Sequence, residues 1–566
     1  MANHSKFMRK ILLISFVLLI SSDFVQAQLS EKDRFEISKN LDIYNALFKE
    51  LNLFYVDSID IKKTTSDNID FMLKRLDPYT EYIPEEELSD FLVTTTGEYG
   101  GIGAVISSYK GKVFVTDPYE GMPAAQAGLQ PGDILLEING ETMEGQNSEY
   151  ASERLKGQPN TTVKIKFQRQ GEKKPREINI DRKRIEIDPV IYYGVLQGNI
   201  GYIYLSGFTT HSAQSIKAAF EDLKTNKGIT SLIIDVRDNG GGVVEDCLEI
   251  LNYFIPRGKH LLTMKGRVPQ LDKTYRSTQQ AIDSIIPLAV LVNHQSASAS
   301  EILAGALQDL DRAVIIGSRT YGKGLVQSNR PLPYNGQLKL TTAKYYIPSG
   351  RCIQAIDYSH RNDDGSLSYI PDSLTSVFYT SKGRPVRDGG GILPDYIIEG
   401  KRMPAMAFYL EAEYLPFDFV VQWRSNHPVI DSPEKFTMTD EIYDEFKTFL
   451  KSKNFDYDRQ SEKALENLKD IMEFEGYDTA SVEYKALAEK LKPDLDRDLN
   501  LYKDQLSDIL ARQIMKQYYF AKGEIIYALR NDESLKKALE TLSDKDLYLK
   551  TFTGYKSEGH NMNNPQ

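Results

Sequence analysis

Residues 287–317 read "PLAVLVNHQSASASEILAGALQDLDRAVIIG". The run "PLAVLVN" has the length and apolar content of a buried strand. "EILAGALQD" is long enough for a helix, and "RAVIIG" is a second apolar run. Strand, helix and strand in that order form a βαβ unit. Its two strands lie parallel, and the crossover returns their carboxyl ends to one edge of the sheet. The same alternation appears upstream in "GYIYLSGF", "SIKAAFEDLK", "TSLIIDV" and "DCLEILNYF". The stretch from about 185 to 400 therefore reads as an α/β core with a largely parallel sheet. Ligands of such sheets bind at the edge formed by the carboxyl ends of the strands.

Three loops should meet at that edge. The first holds Ser298 between small residues, "SASAS", where a strand turns into a helix. A nucleophile exposed on such a turn needs small neighbours. The next backbone N–H, that of Ala299, can face an oxyanion at the helix N-terminus. A helix N-cap is the competing role for each of these serines. The second loop, "RDNGGGVVEDCLEIL", puts three glycines after a strand, which suits close backbone approach to a ligand. The third is "GSRTYGKGLVQ", residues 317–327. Gly317, Gly322 and Lys323 fit a phosphate-binding loop. Position 324 is glycine rather than the hydroxyl residue that holds magnesium, and no helix follows "LVQSNRPLP". A lysine whose burial lowers its pKa can instead serve a serine as general base. Gln327, four residues on, is a candidate to hold the amine. None of the histidines sits in a setting that marks it as that base.

The flanks add context. The chain has 566 residues, 41% hydrophobic and 26% charged, with a net charge of −11, which predicts several globular domains and no nucleic-acid partner. Arg9 and Lys10 precede "ILLISFVLLI", and Val25-Gln26-Ala27 fits a small-residue cleavage site. This pattern predicts a secretory signal over 1–27 and an exported protein, most simply periplasmic, with membrane association as the variant case. Two cysteines, Cys247 and Cys352, exclude a disulfide-stapled scaffold, and no Cys/His spacing calls for a metal. Residues 30–96 look helical and contain "RLDPYTEYIPEEE". Beyond 400 the chain is charged and helical, with Ile442, Phe446, Phe449 and Leu450 on one face.

Residues 97–184 are Gly-rich and strand-like. "YGGIGAVI" at 99–106 fits a carboxylate-binding nest leading into a strand edge, and "PAAQAGLQPGDILLEING" has the helix, turn and strand of a PDZ domain.

Taken together, "LDPYTEYIP", "YGGIGAVI", "AAQAGLQPGDILLEING", "IIDVRDNGGG", "SASASEILAGALQD", "TYGKGLVQ", "TTAKYYIPSGRCIQ" and "GGILPD", in that order over about 70–400, resemble the carboxyl-terminal processing peptidases. These are also called tail-specific proteases, serine peptidase family S41 with an embedded PDZ domain. The resemblance implies Ser298 as nucleophile, Lys323 as base and Gln327 as its helper. It implies Ala299 and Gly241 as oxyanion donors, with Gly240 standing where many members carry proline. It implies a peptide groove along Gly101, Ile102, Gly103 and Ala104.

The expected fold is α/β and multidomain: a βαβ-type peptidase core with an inserted PDZ domain and helical N- and C-terminal regions. The expected order is a signal peptide (1–27), a helical region (28–96), the PDZ domain (97–184), the Ser-Lys peptidase core (185–400), a helical region (401–555) and a disordered tail (556–566). The expected function is a serine endopeptidase that needs no cofactor and no metal. Its partners would be proteins or peptides with free C-termini, with an envelope adaptor protein and a homo-oligomer as further candidates. The rival readings are a catalytically silent tail-binding adaptor and an ATP-dependent enzyme.

Overall fold

The computed structural model describes residues 30–361, 367–400, 402–477, 481–492 and 494–553. The segment 1–27 read as a signal and the tail 556–566 lie outside the described residues. None of the described helices is long and apolar enough to cross a membrane.

The core sheet has six strands: β1 (Val190–Leu196), β2 (Ile200–Leu205), β3 (Ser231–Asp235), β4 (Leu288–Val292), β5 (Val314–Gly317) and β6 (Tyr396–Ile397), side by side in that order. β1 pairs antiparallel with β2, and all later pairs are parallel. Helices α1 (Ser212–Thr225), α2 (Val244–Phe254) and α3 (Ala299–Asp309) make the crossovers. Side chains alternate across a strand, so each strand feeds two cores. Ile203, Leu232, Ile234, Val290 and Ile315 pack with the helices α1 to α3. Tyr202, Ile233, Leu291, Val314 and Ile316 face the other way, onto Leu535, Ala538 and Phe552. These last three residues belong to the C-terminal helices Glu533–Ser543 and Lys545–Thr551 and the turn after them. A sheet buried on both faces needs near-continuous apolar runs, which is why "SLIID" and "LAVLV" show no polar alternation.

A second, antiparallel sheet stands beside the loop that carries Lys323. Strand Gln337–Tyr346 pairs with Leu325–Pro331, with His260–Gly266 and with the short strand Glu81–Ile83. Thus the N-terminal "DPYTEYI" stretch is drawn onto the core. Asp77 starts it by accepting the N–H groups of Tyr79 and Thr80, each at 2.8 Å.

The strand-rich insert hangs from a two-stranded neck, Glu98–Gly101 against Lys183–Glu186. Its own sheet runs from the edge strand Ala104–Tyr109 through Lys112–Pro118, Ile134–Ile138 and Thr162–Gln168 to Arg176–Asp181. Its outer face docks on the C-terminal helices. The Phe114 ring lies 5.6 Å from that of Phe417 and 5.3 Å from that of Tyr414, and Lys516 pairs with Asp117 at 3.3 Å. The other C-terminal helices gather around Trp423, Tyr443, Phe446, Leu510 and Ile514.

Candidate active site

Ser298 is the N-cap of α3, directly beyond β4, with φ 55° and ψ −114°. A non-glycine residue in that region is strained and persists only where its surroundings hold it. Its neighbours do so. Ser296 Oγ donates to Val236 O at 2.7 Å, and Ser300 Oγ donates to Asn239 O at 2.8 Å. The flanking serines therefore fasten the turn to the glycine loop after β3, while Ser298 takes the cap position itself.

That glycine loop approaches as the sequence predicts. Gly241 has φ +100°, and a Cβ placed on it would lie 2.7 Å from Ser298 Cβ and 2.9 Å from Ala299 N. Only glycine fits there. The residues read as oxyanion donors, Gly241 and Ala299, are thus brought together at Ser298. The Gly241 N–H, however, donates to Asn239 Oδ1 at 2.9 Å. Beneath them the free Cys247 thiol is buried and donates to Ala299 O at 3.2 Å.

Lys323 follows β5 in a loop that returns to the same edge. Burial, with the nearby Lys339 charge, lowers its pKa to about 8, against the pull of Asp77, Glu301 and Glu81. Its ammonium lies 4.1 Å from the centre of the Tyr79 ring, a cation–π contact. The Tyr79 hydroxyl meets that of Tyr358 at 3.2 Å. Among the described residues no hydrogen bond joins Ser298 Oγ to Lys323 Nζ. The Gln327 amide is likewise not on the lysine: its Nε2 donates to Thr341 Oγ1 at 3.1 Å. A mixed polar and apolar cavity of about 680 Å³, lined by Asp77, Leu325, Gln354 and Tyr358 among others, opens beside the loop.

Sequence reasoning missed Glu301. It looks like an ordinary acid in the first turn of a helix. In the structure it is wholly enclosed, and its carboxylate accepts from Ser298 N, Lys323 N, Gly322 N and Thr320 Oγ1. Burial raises its pKa to about 7 against those four hydrogen bonds. Tyr79 was also missed as a neighbour of Lys323, although its stretch was singled out.

In the insert, Gly101, Ile102, Gly103 and Ala104 lead from the neck into the edge strand, and helix Ser148–Leu155 runs beside that strand. Ile102 O accepts from Ala124 N at 2.8 Å, and Gly103 O accepts from Tyr119 N at 3.0 Å. The Tyr99 phenol is pushed up to about 12 by burial, while the backbone N–H groups of Ala104 and Gly103 favour its ionised form. Those amides thus face the Tyr99 phenol oxygen.

One group among the described residues has the donor types for a cation. Carboxylate oxygens of Glu98 and Glu186 and a ring nitrogen of His211 lie within 4.8 Å of one another. Arg184 and His211 already engage Glu98 there, so the group serves the neck as an ion cluster.

Comparison with known proteins gives the same parts. The model of peptidase family S41 matches residues 199–359, a PDZ domain model matches 114–169, and a model named for the C-terminal helical domain of a probable PDZ-protease matches 406–542. The carboxy-terminal-processing protease of Bartonella bacilliformis is 34% identical over 350 residues, covering 61% of this chain and 80% of that protein. A probable CtpA-like serine protease of Staphylococcus aureus is 32% identical over 347 residues, covering 61% and 68%. The solved photosystem II D1 C-terminal processing protease overlaps 63% of this chain and 87% of its own, at 27% identity and a TM-score of 0.35. By these family matches this chain belongs to the carboxy-terminal-processing serine proteases of peptidase family S41, with a PDZ domain and a helical C-terminal region.

Proposed function

We propose that this protease cleaves exported proteins in the cell envelope after its PDZ domain takes their C-terminal tail, using Ser298 and Lys323 as a dyad. One observation carries the reading. A strained serine at a helix N-terminus, packed on Gly241 and Ala299, shares its edge with a lysine whose burial lowers its pKa to about 8.

The substrate's carboxylate meets the amides around Gly103 and Ala104, and its chain extends along the edge strand. Ser298 Oγ attacks a peptide carbonyl upstream, and neutral Lys323 takes its proton. The oxyanion is held by the Ala299 N–H and, once released from Asn239, the Gly241 N–H. Lys323 then gives the proton to the departing amine, and water resolves the acyl-enzyme. In the same way, Gln327 can steady the amine only after leaving Thr341.

The test is cleavage of a protein with a free apolar C-terminus. Ser298→Ala and Lys323→Ala should each abolish it while circular dichroism stays native. Full activity in the Lys323 variant overturns the dyad. Failure of the wild-type protein to react with a fluorophosphonate would favour a silent tail-binding adaptor instead.

A further inference from the structure

Glu301 Oε2 accepts the backbone N–H of Ser298 and that of Lys323, both at 2.9 Å. Oε1 accepts Gly322 N–H at 2.7 Å and the Thr320 hydroxyl at 2.6 Å. The nucleophile turn and the lysine loop thus share one carboxylate, although they are separated by a whole helix and strand in the chain. Thr320 Oγ1 in turn accepts from Ile392 N at 2.6 Å, which fastens the loop to the segment before β6. The carbonyls of the same two residues are tied as well. The Tyr345 hydroxyl, from strand Gln337–Tyr346, reaches Ser298 O at 3.2 Å and also Lys323 O. Among the described residues no lysine or arginine forms an ion pair with Glu301. A buried carboxylate without a cation is costly and needs every lone pair engaged. Charge-assisted hydrogen bonds are about twice as strong as neutral ones, and here four of them converge.

We propose that Glu301 is a positioning residue for the peptidase reaction: its carboxylate fixes the strained nucleophile turn and the lysine loop in one relation, so that hydroxyl and amine can meet. The proposal rests on the Ser298–Lys323 reading. It also assigns a role to Thr320, whose hydroxyl completes the Oε1 pair. The charged and titratable groups facing Glu301 are Lys323 from the base loop and Tyr345 from the neighbouring strand. The negative charge of Glu301 favours the ammonium form of Lys323.

Two sets of full-length variants test it. Glu301→Gln keeps the shape but turns an N–H2 group towards two donors. In a natively folded variant kcat should fall about 100-fold with KM nearly unchanged, the size of effect expected when reacting groups are misplaced by about 1 Å. The rising limb of its pH profile should move to lower pH, since the charge that favours the ammonium is gone. Thr320→Val removes the donor to Glu301 Oε1 and, with it, the acceptor of Ile392 N–H, and should lower kcat about tenfold, roughly one hydrogen bond to a charged group. Thr320→Ser, which keeps the hydroxyl, should restore it. A folded Glu301→Gln enzyme with wild-type kcat and pH profile overturns the proposal. If that variant does not fold, the Thr320 pair decides, and equal kcat in Thr320→Val and Thr320→Ser overturns it. Fluorophosphonate labelling of Lys323→Ala reports on the dyad separately. Labelling there at the wild-type rate refutes the base and leaves the hold of Glu301 on Ser298 to be read from Glu301→Gln.

Discussion

The core sheet and the PDZ sheet each present one edge outward, and the two edges are built in opposite ways. At the core edge, the N–H and C=O of Ser298 and of Lys323 each have a partner, and Glu301 and Ser300 are fully enclosed. At the PDZ edge, strand Ala104–Tyr109 has a single neighbour, Lys112–Pro118, and Val105 stays 39% exposed. Bond-making needs atoms already held in place. Recognition of an extended tail needs the reverse, a backbone left incomplete for a visiting strand to finish. The insert meets the rest of the molecule at the neck and at the C-terminal helices, away from both edges, so each edge should be open to alteration without the other.

That independence can be broken by experiment. The largest effect should come from Ser298→Ala, with kcat falling by at least about a thousandfold. Binding of a fluorescent tail peptide, measured by anisotropy, should be unchanged, and a parallel loss of binding would erase the distinction. Next, a substrate whose C-terminal carboxylate is amidated should bind about 10- to 100-fold more weakly, the loss of hydrogen bonds to one charged group. Its kcat at saturation should hold, and a fall would mean that the two edges are coupled. Third, kcat/KM should rise about tenfold per pH unit up to about pH 8, where buried Lys323 loses its proton. The sign follows from the proposed role of Lys323 as base, since only the neutral amine accepts a proton. Tail binding should be flat over that range, and a falling profile would remove Lys323 as base. The smallest effect belongs to Lys516→Ala. Its half-exposed ion pair with Asp117 should be worth under about 1 kcal/mol in thermal or urea unfolding. The Phe114–Phe417–Tyr414 contact would then carry the docking of the PDZ domain.

Much of this was legible in the sequence because the decisive patterns are local. The apolar runs around 288–292 and 314–317 announce buried strands, and the small residues beside Ser298 announce a tight turn. The glycine loop after β3 could be placed beside Ser298 because crossover geometry sends successive loops to one edge, whereas the choice of Gly241 within it came from the family resemblance. Glu301 could not be found this way, since its partners at 298, 320, 322 and 323 come together only in three dimensions. Tyr79 reaches Lys323 through the pairing of strand Glu81–Ile83 with strand Gln337–Tyr346, which joins residues more than 250 positions apart. The hydrogen bonds of Gln327 to Thr341 and of Gly241 to Asn239 depend on side-chain rotamers, which no spacing rule encodes.

The C-terminal helices that cover Tyr202, Ile233 and Leu291 also set the order in which the protein can mature. Until Leu535, Ala538 and Phe552 have been synthesised and folded back, the core sheet keeps one bare, apolar face. Long-range closures of this kind are slow to form. A chain cut ahead of residue 533 should therefore leave that apolar face open and be prone to aggregate.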